Sequence, residues 1–320
     1  MIRPINITKS NYDDYGNVVY LDGVLLENNL EVGSYKKRRE TGEVVMDCIR
    51  GSITVRVEQQ VEGEMKTLEI PVKFFADKYT KDNKINPSYT RLNEYMTTLN
   101  SAAVVGIDNA DRINVGGCSL KVNYGLESLP IDINGSFINV RPKANFKEQA
   151  VFYLNGLVTY LDEEFEPVSG MPTGRYKLKL GVPRYGGDVD EFNIVISSPK
   201  VIEVVTRSWQ IGDTVKVAGK LNFSTSVRSV AMSDFGDEDI LGRHLETTVK
   251  ELLCTGGNEI PYSDEVAYDA REIKLAMENT KSREAQKRES KKTAKPTADA
   301  TKLNVGFGDF GFGKDSFDTF

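Results

Sequence analysis

The sequence predicts a mainly β protein: two tandem five-stranded barrels, followed by a C-terminal helix and an acidic tail that cannot fold. Three observations carry this reading. VVYLDGVL at residues 18–25 matches VFYLNGLV at 151–158 position by position, at an offset of 133. In the same order, DRINVGG at 111–117 matches DTVKVAG at 213–219 at an offset of 102, so the first copy carries 31 extra residues between its two markers. Between the markers, apolar and polar residues alternate with a period of two, the period of a strand with one face buried.

In the first copy, strands are expected at 18–26, 43–59, 67–76, 112–124 and 136–141. Within 86–103, Tyr89, Leu92, Tyr95, Met96 and Leu99 fall on one helical face. An inserted helix between the third and fourth strands therefore explains much of the extra length. In the second copy, Tyr176, Leu178, Leu180 and Val182 alternate with Arg175, Lys177 and Lys179, and a second alternating run occupies 191–196. A connector at 200–209, a strand at 213–223 and a last strand at 244–253 complete the set. Five strands with a short connector after the third is the layout of the OB-fold.

The C-terminal part changes character. Ser263 offers an N-cap ahead of Asp264 and Glu265, and Val266, Ala270, Ile273 and Met277 recur on one stripe, so a helix is expected from about 264 to 290. TAKPTADA at 293–300 has almost nothing to bury and reads as a linker. The chain thus divides into a first OB-like domain at 1–147, a second at 148–262, a basic helix at 263–292, and a linker with an acidic aromatic tip at 293–320.

Composition excludes several classes. With 320 residues, 39% hydrophobic and 28% charged, the chain reads as a soluble globular protein with two cores. No apolar run is long enough to span a bilayer and the first residues lack the order of a signal peptide, so a cytoplasmic location is expected. Cys48, Cys118 and Cys254 are widely spaced, which suggests buried thiols rather than disulfides or zinc ligands. The one histidine, His244, sits in an expected strand, and no nucleotide-binding, hydrolase or metalloprotease motif occurs. Asp188, Asp190 and the acidic triplet Asp237, Glu238 and Asp239 lie in turns, where carboxylates are common without a metal. No catalytic residue, cofactor or metal is expected.

A binding face has better support. The net charge is −6, but residues 271–295 hold nine Lys/Arg against four Asp/Glu, and residues 296–320 hold two Lys against four Asp. A basic segment precedes an acidic tip. On the outward set of the first barrel lie Arg56, Lys73 and Phe75; Tyr35, Lys36, Lys37, Arg38 and Arg39 cluster in the expected loop after the first strand. The second barrel offers Arg175, Lys177 and Lys179, with Arg184 and Tyr185 at the adjoining turn and Arg207 and Trp209 near the connector. Cations that follow phosphates, mixed with aromatic faces that stack bases, are what a single nucleic-acid strand requires.

WQIGDTVKVAGKL at 209–221 resembles the strand of bacterial-type single-stranded DNA-binding proteins in which a Gly-Asp turn precedes Val-x-Val-x-Gly-x-Leu. The order of barrel, linker and acidic tip ending in Phe320 is also similar to that family, although Thr319 stands where the family tip carries proline, and two barrels share one chain. The resemblance implies sequence-independent coating of single-stranded DNA in replication, recombination or repair, in a divergent version such as a bacteriophage encodes, acting in the host cytoplasm. It also implies a tip that recruits partner proteins through Asp315, Phe317, Asp318 and Phe320. Two other readings stay open at this point: a phage virion component built from duplicated β domains, and an RNA-binding OB protein, since stacking does not distinguish the sugar.

Overall fold

Leu68, Ile70, Val72, Phe74 and Ala76 are buried and the residues between them face outward, so β3 (Glu64–Asp77) is a strand with one wet face. The same alternation builds β1 (Asn17–Arg39), β2 (Gly42–Val61), β4 (Arg112–Val122), β5 (Ile131–Asn134) and β6 (Phe137–Arg141) in the first half. The second half holds β7 (Gln149–Phe165), β8 (Pro172–Pro183), β9 (Val189–Ile196), β10 (Thr214–Val230) and β11 (Arg243–Gly257). The structure is a computed structural model that describes residues 16–39, 42–124, 131–184, 187–230, 243–263 and 266–293. The linker and tip, and the acidic triplet Asp237 to Asp239, lie outside the described residues.

Pairing closes two barrels. In the first, β1 pairs with β2, β2 with β3, β3 in parallel with β5, β5 with β4, and β4 back with β1. In the second, β7, β8, β9, β11 and β10 close in the same order, again with one parallel pair, β9 with β11. This is the OB-fold order, twice. A parallel pair needs a crossover, and helices lie in both. In the first it contains α1 (Pro87–Thr98) and α2 (Ala102–Val105), in the second α3 (Pro199–Ser208). The side chain of Asn86 accepts from the Ser88 amide and Pro87 opens α1, while Leu92 is buried against the barrel. The fifth strand of the first barrel differs from expectation. It is divided into β5, which closes the barrel on β3, and β6, which among the described residues pairs with β4 alone.

The two barrels are joined by an antiparallel pair between β1 and β7. Val19 lies opposite Phe152, and these are equivalent positions of the repeat, so a pseudo-two-fold axis passes between them. One hydrophobic cluster runs through both interiors; fully burying Phe152 alone contributes about 1.5–3 kcal/mol. All three cysteines are buried and free, and burial pushes the Cys118 thiol up to about 12 and Cys254 to about 11.

Gln59 seals the junction. From β2 its amide donates to the carbonyls of Ala150 (3.3 Å) and Leu221 (2.9 Å), and its carbonyl accepts from the Ala150 amide at 3.0 Å. Tyr124 reaches the second barrel at another point, its hydroxyl donating to the fully buried Asp190 at 3.2 Å. Replacing Gln59 with Met keeps the volume and strands three polar groups. Gln59→Met should destabilise the chain by about 1–3 kcal/mol, read as a lowered urea midpoint; an unchanged midpoint would show that the junction does not depend on these bonds.

Candidate nucleic-acid interface

The outward residues of β2 and β3 form a face on the first barrel. Arg50 lies opposite Phe75, and Ser52 opposite Lys73. Between Arg50 and Ser52 the strand passes through Gly51, whose φ of +140° and approach to the Asn29 carbonyl leave no room for a side chain. The result is a groove of about 580 Å³ whose lining includes Glu31, Arg50, Lys73, Phe75 and Asn134. Phe75 is 58% exposed, and its ring meets the edge of Tyr35 at 5.8 Å between centroids. The Tyr35 hydroxyl donates to Asp77 at 2.8 Å, which fixes the ring beside the groove.

The groove cations are held by carboxylates: Arg50 Nε by Glu31 at 3.0 Å and Lys73 Nζ by Asp132 at 2.7 Å. Exposed pairs of this kind are worth roughly 0–1 kcal/mol. A phosphate can therefore replace the carboxylate at small cost.

The second barrel repeats the plan. Val24 opposite Arg56 in the first barrel corresponds to Leu157 opposite Gly181 in the second, and a bulge follows at the same place in both ladders. Arg175 then stands where Arg50 stands, and Glu164 where Glu31 stands. The pair recurs, Arg175 Nε lying 3.6 Å from Glu164, with a second contact from Arg175 to Glu251 at 2.9 Å. Lys177 meets Glu164 at 3.1 Å, and the Lys179 ammonium lies 5.4 Å from the Tyr160 ring centroid. Val195 occupies the place of Lys73, and Tyr160 on β7, beside Lys179, gives this face an aromatic surface.

The YorF family model matches residues 16–293. The chain belongs to the YorF family. No curated protein matches it. Among solved structures, a deletion variant of the single-stranded DNA binding protein from Thermus aquaticus is similar at 12% identity, covering 77% of this chain and 94% of that one, with a TM-score of 0.44. The wild-type form of that protein gives 10% identity, 75% and 90% coverage, and a TM-score of 0.42.

In this YorF-family chain the remaining expected site residues scatter. Tyr35, Lys36, Lys37, Arg38 and Arg39 belong to β1 and pair with β2 from Met46 to Gly42, so the expected loop is a long hairpin arm. Lys36 is exposed, 3.8 Å from Glu43. The side chains of Lys37, Arg38 and Arg39, and all of Tyr185, lie outside the described residues. Arg56 bonds Glu58 and stands six residues along β2 from Arg50, about 20 Å away. Arg184 is committed elsewhere: it lies 3.3 Å from Asp188 and 3.2 Å from buried Asp190, whose carboxyl burial pushes up while Arg184 pulls it down. Burial likewise raises the neighbouring Tyr124 hydroxyl. Arg207, on α3, bonds Glu259 at 2.8 Å rather than joining the β8 face. Trp209 is 4% exposed, with its indole N–H donating to the Asn258 carbonyl at 2.9 Å; it is a core residue with no free face for a base. Arg50, Tyr160 and Asn134 were missing from the expected set, although Arg50 shares the strand parity of Arg56 and that signal could have found it.

A helix closes one end of the second face. α4 (Ala270–Thr293) starts later than Ser263, because Asp269 is the cap: its carboxylate accepts from the amides of Arg271 (2.7 Å) and Glu272 (3.1 Å). The Ser263 carbonyl instead closes a turn with Val266 and Ala267. Ile273 and Met277 pack with Leu157 and Val189, and lie directly over Gly181, where an added Cβ would come 2.9 Å from the Met277 sulfur. Lys281 bonds Glu191 at 2.8 Å and Arg283 bonds Asp188. Among the described residues no group of three or more His, Cys, Asp or Glu is placed to hold a metal ion, and no helix is long and apolar enough to cross a membrane.

The hydrogen bond from Arg283, then its charge and that of Arg184, hold Asp188 below the ordinary aspartate range against some desolvation. A lowered folded-state pKa means the contribution is complete above the unfolded value and fades as pH falls through the folded one. Protection factors of the α4 amides, corrected for the slower intrinsic exchange at low pH, should therefore fall between pH 5 and about pH 3, and Arg283→Ala should flatten that change; an α4 equally protected at both pH values would remove the anchor.

Proposed function

We propose that the chain binds single-stranded DNA without sequence preference and coats it during replication, recombination or repair. The carrying observation is the face of the first barrel, where Phe75 and Tyr35 stand beside Arg50 and Lys73 along one groove. The aromatic rings stack bases, at about 1–3 kcal/mol per base. Arg50 and Lys73 exchange Glu31 and Asp132 for phosphates, and no bond is made or broken in the ligand. Arg175, Lys177 and Lys179 with Tyr160 form a second contact in the same chain, which raises avidity when one strand reaches both faces. The acidic C-terminal sequence with Asp315, Phe317, Asp318 and Phe320 recruits replication or recombination proteins, and the chain acts in the cytoplasm of a bacterial host as a bacteriophage product; the sequence resemblance supports these last points.

The reading is tested by titrating labelled oligo-dT and a duplex of equal length at several salt concentrations. The single strand should be preferred, with affinity falling by about 0.7 log units per log unit of salt for each phosphate contact. Phe75→Ala should weaken oligo-dT binding roughly 5- to 100-fold, the range that loss of one stacked base implies, with little change in stability because the ring is exposed. Equal affinity for single strand and duplex, or indifference to salt, would sink the proposal.

A further inference from the structure

On the reading that the second face binds single-stranded DNA, we infer that α4 is part of that binding track. The two barrels differ where α4 sits. The first barrel carries Arg56 on its outer face, opposite Glu69; the second has Gly181 opposite Glu191. The missing side chain makes room for Ile273 and Met277, and α4 brings Lys281 onto Glu191, the residue opposite Gly181.

The helix joins the existing row of cations. Lys179 and Gly181 point to the same side of β8, about 7 Å apart along the strand. A chain of polar contacts connects them to the helix. The Lys281 ammonium bonds Glu191 Oε2 at 2.8 Å, and the hydroxyl of Thr159 lies 3.1 Å from Glu191 Oε1 and 3.2 Å from the Lys179 carbonyl. Lys274, seven residues before Lys281, lies on the same flank of the helix and is exposed, with no carboxylate partner among the described residues. By occupying Asp188 and Glu191, Arg283 and Lys281 also remove two negative charges from the end of the track. A strand that follows Arg175, Lys177 and Lys179 continues onto α4 at Lys281 and Lys274, rather than leaving the protein at Gly181.

Two experiments on the full chain test this. Oligo-dT carrying 4-thiothymidine should cross-link to peptides within 270–287 as well as to the first-barrel groove; cross-links confined to β2, β3 and β8 would overturn the inference. Lys274→Ala leaves the anchors of α4 in place and should lower the slope of log affinity against log salt by about 0.7, the value for one phosphate contact on a single strand. An unchanged slope in Lys274→Ala, alongside weakened binding in Phe75→Ala, defeats the role of α4 and leaves the proposed function standing. Unchanged binding in both variants defeats the proposed function itself.

Discussion

The antiparallel pairing of β1 with β7 is the constraint on which the molecule depends. Over residues 19–22 β1 satisfies β4 on one side and β7 on the other, so the strand that closes the first barrel also carries the second. The ladder fixes the relation between the two outer faces, and the shared core behind Val19 and Phe152 makes their interiors continuous. Without β7, the edge of β1 would present unpaired amides and carbonyls to solvent, which is a template for aggregation.

Within that frame the two copies keep what the barrel needs and vary what the surface offers. The bulge after Leu25 recurs after Val158, and the Glu31 and Arg50 pair recurs as Glu164 and Arg175. The aromatic surface moves from Phe75 on the third strand of one barrel to Tyr160 on the first strand of the other. Buried Asp190 takes the place that Leu68 has in the first copy, and it is tolerated because Arg184 and Tyr124 surround it. A buried carboxylate without such partners would be strongly destabilising.

Much of the fold was legible because alternation and repetition are properties of the sequence itself. The paired markers at 18–25 and 151–158 announce two units, and the clean period of β3 and β9 places their inner and outer sides. What escaped notice did so for physical reasons. Ile131 to Asn134 is only four residues, too short to show a period, yet it closes a barrel. The segment from Tyr35 to Arg39 belongs to a hairpin arm rather than a core strand, so its charge reads as loop. Trp209 offers the same side chain to a core or to a base, and only its burial under Gly257 decides. The cap expected at Ser263 is Asp269 instead, a residue type equally suited to the role, and the docking of Ile273 and Met277 selects the later start.

The pseudo-two-fold axis between Val19 and Phe152 gives the chain the geometry of an isologous dimer held in a single polypeptide. In a true homodimer every surface position occurs twice, so replacing Arg56 by glycine would strip both copies and a C-terminal helix would have to suit both. Covalent linkage lifts that symmetry. One half can keep its arginine while the other exchanges it for a seat under a helix, and a single gene product acquires two unlike surfaces on two like scaffolds.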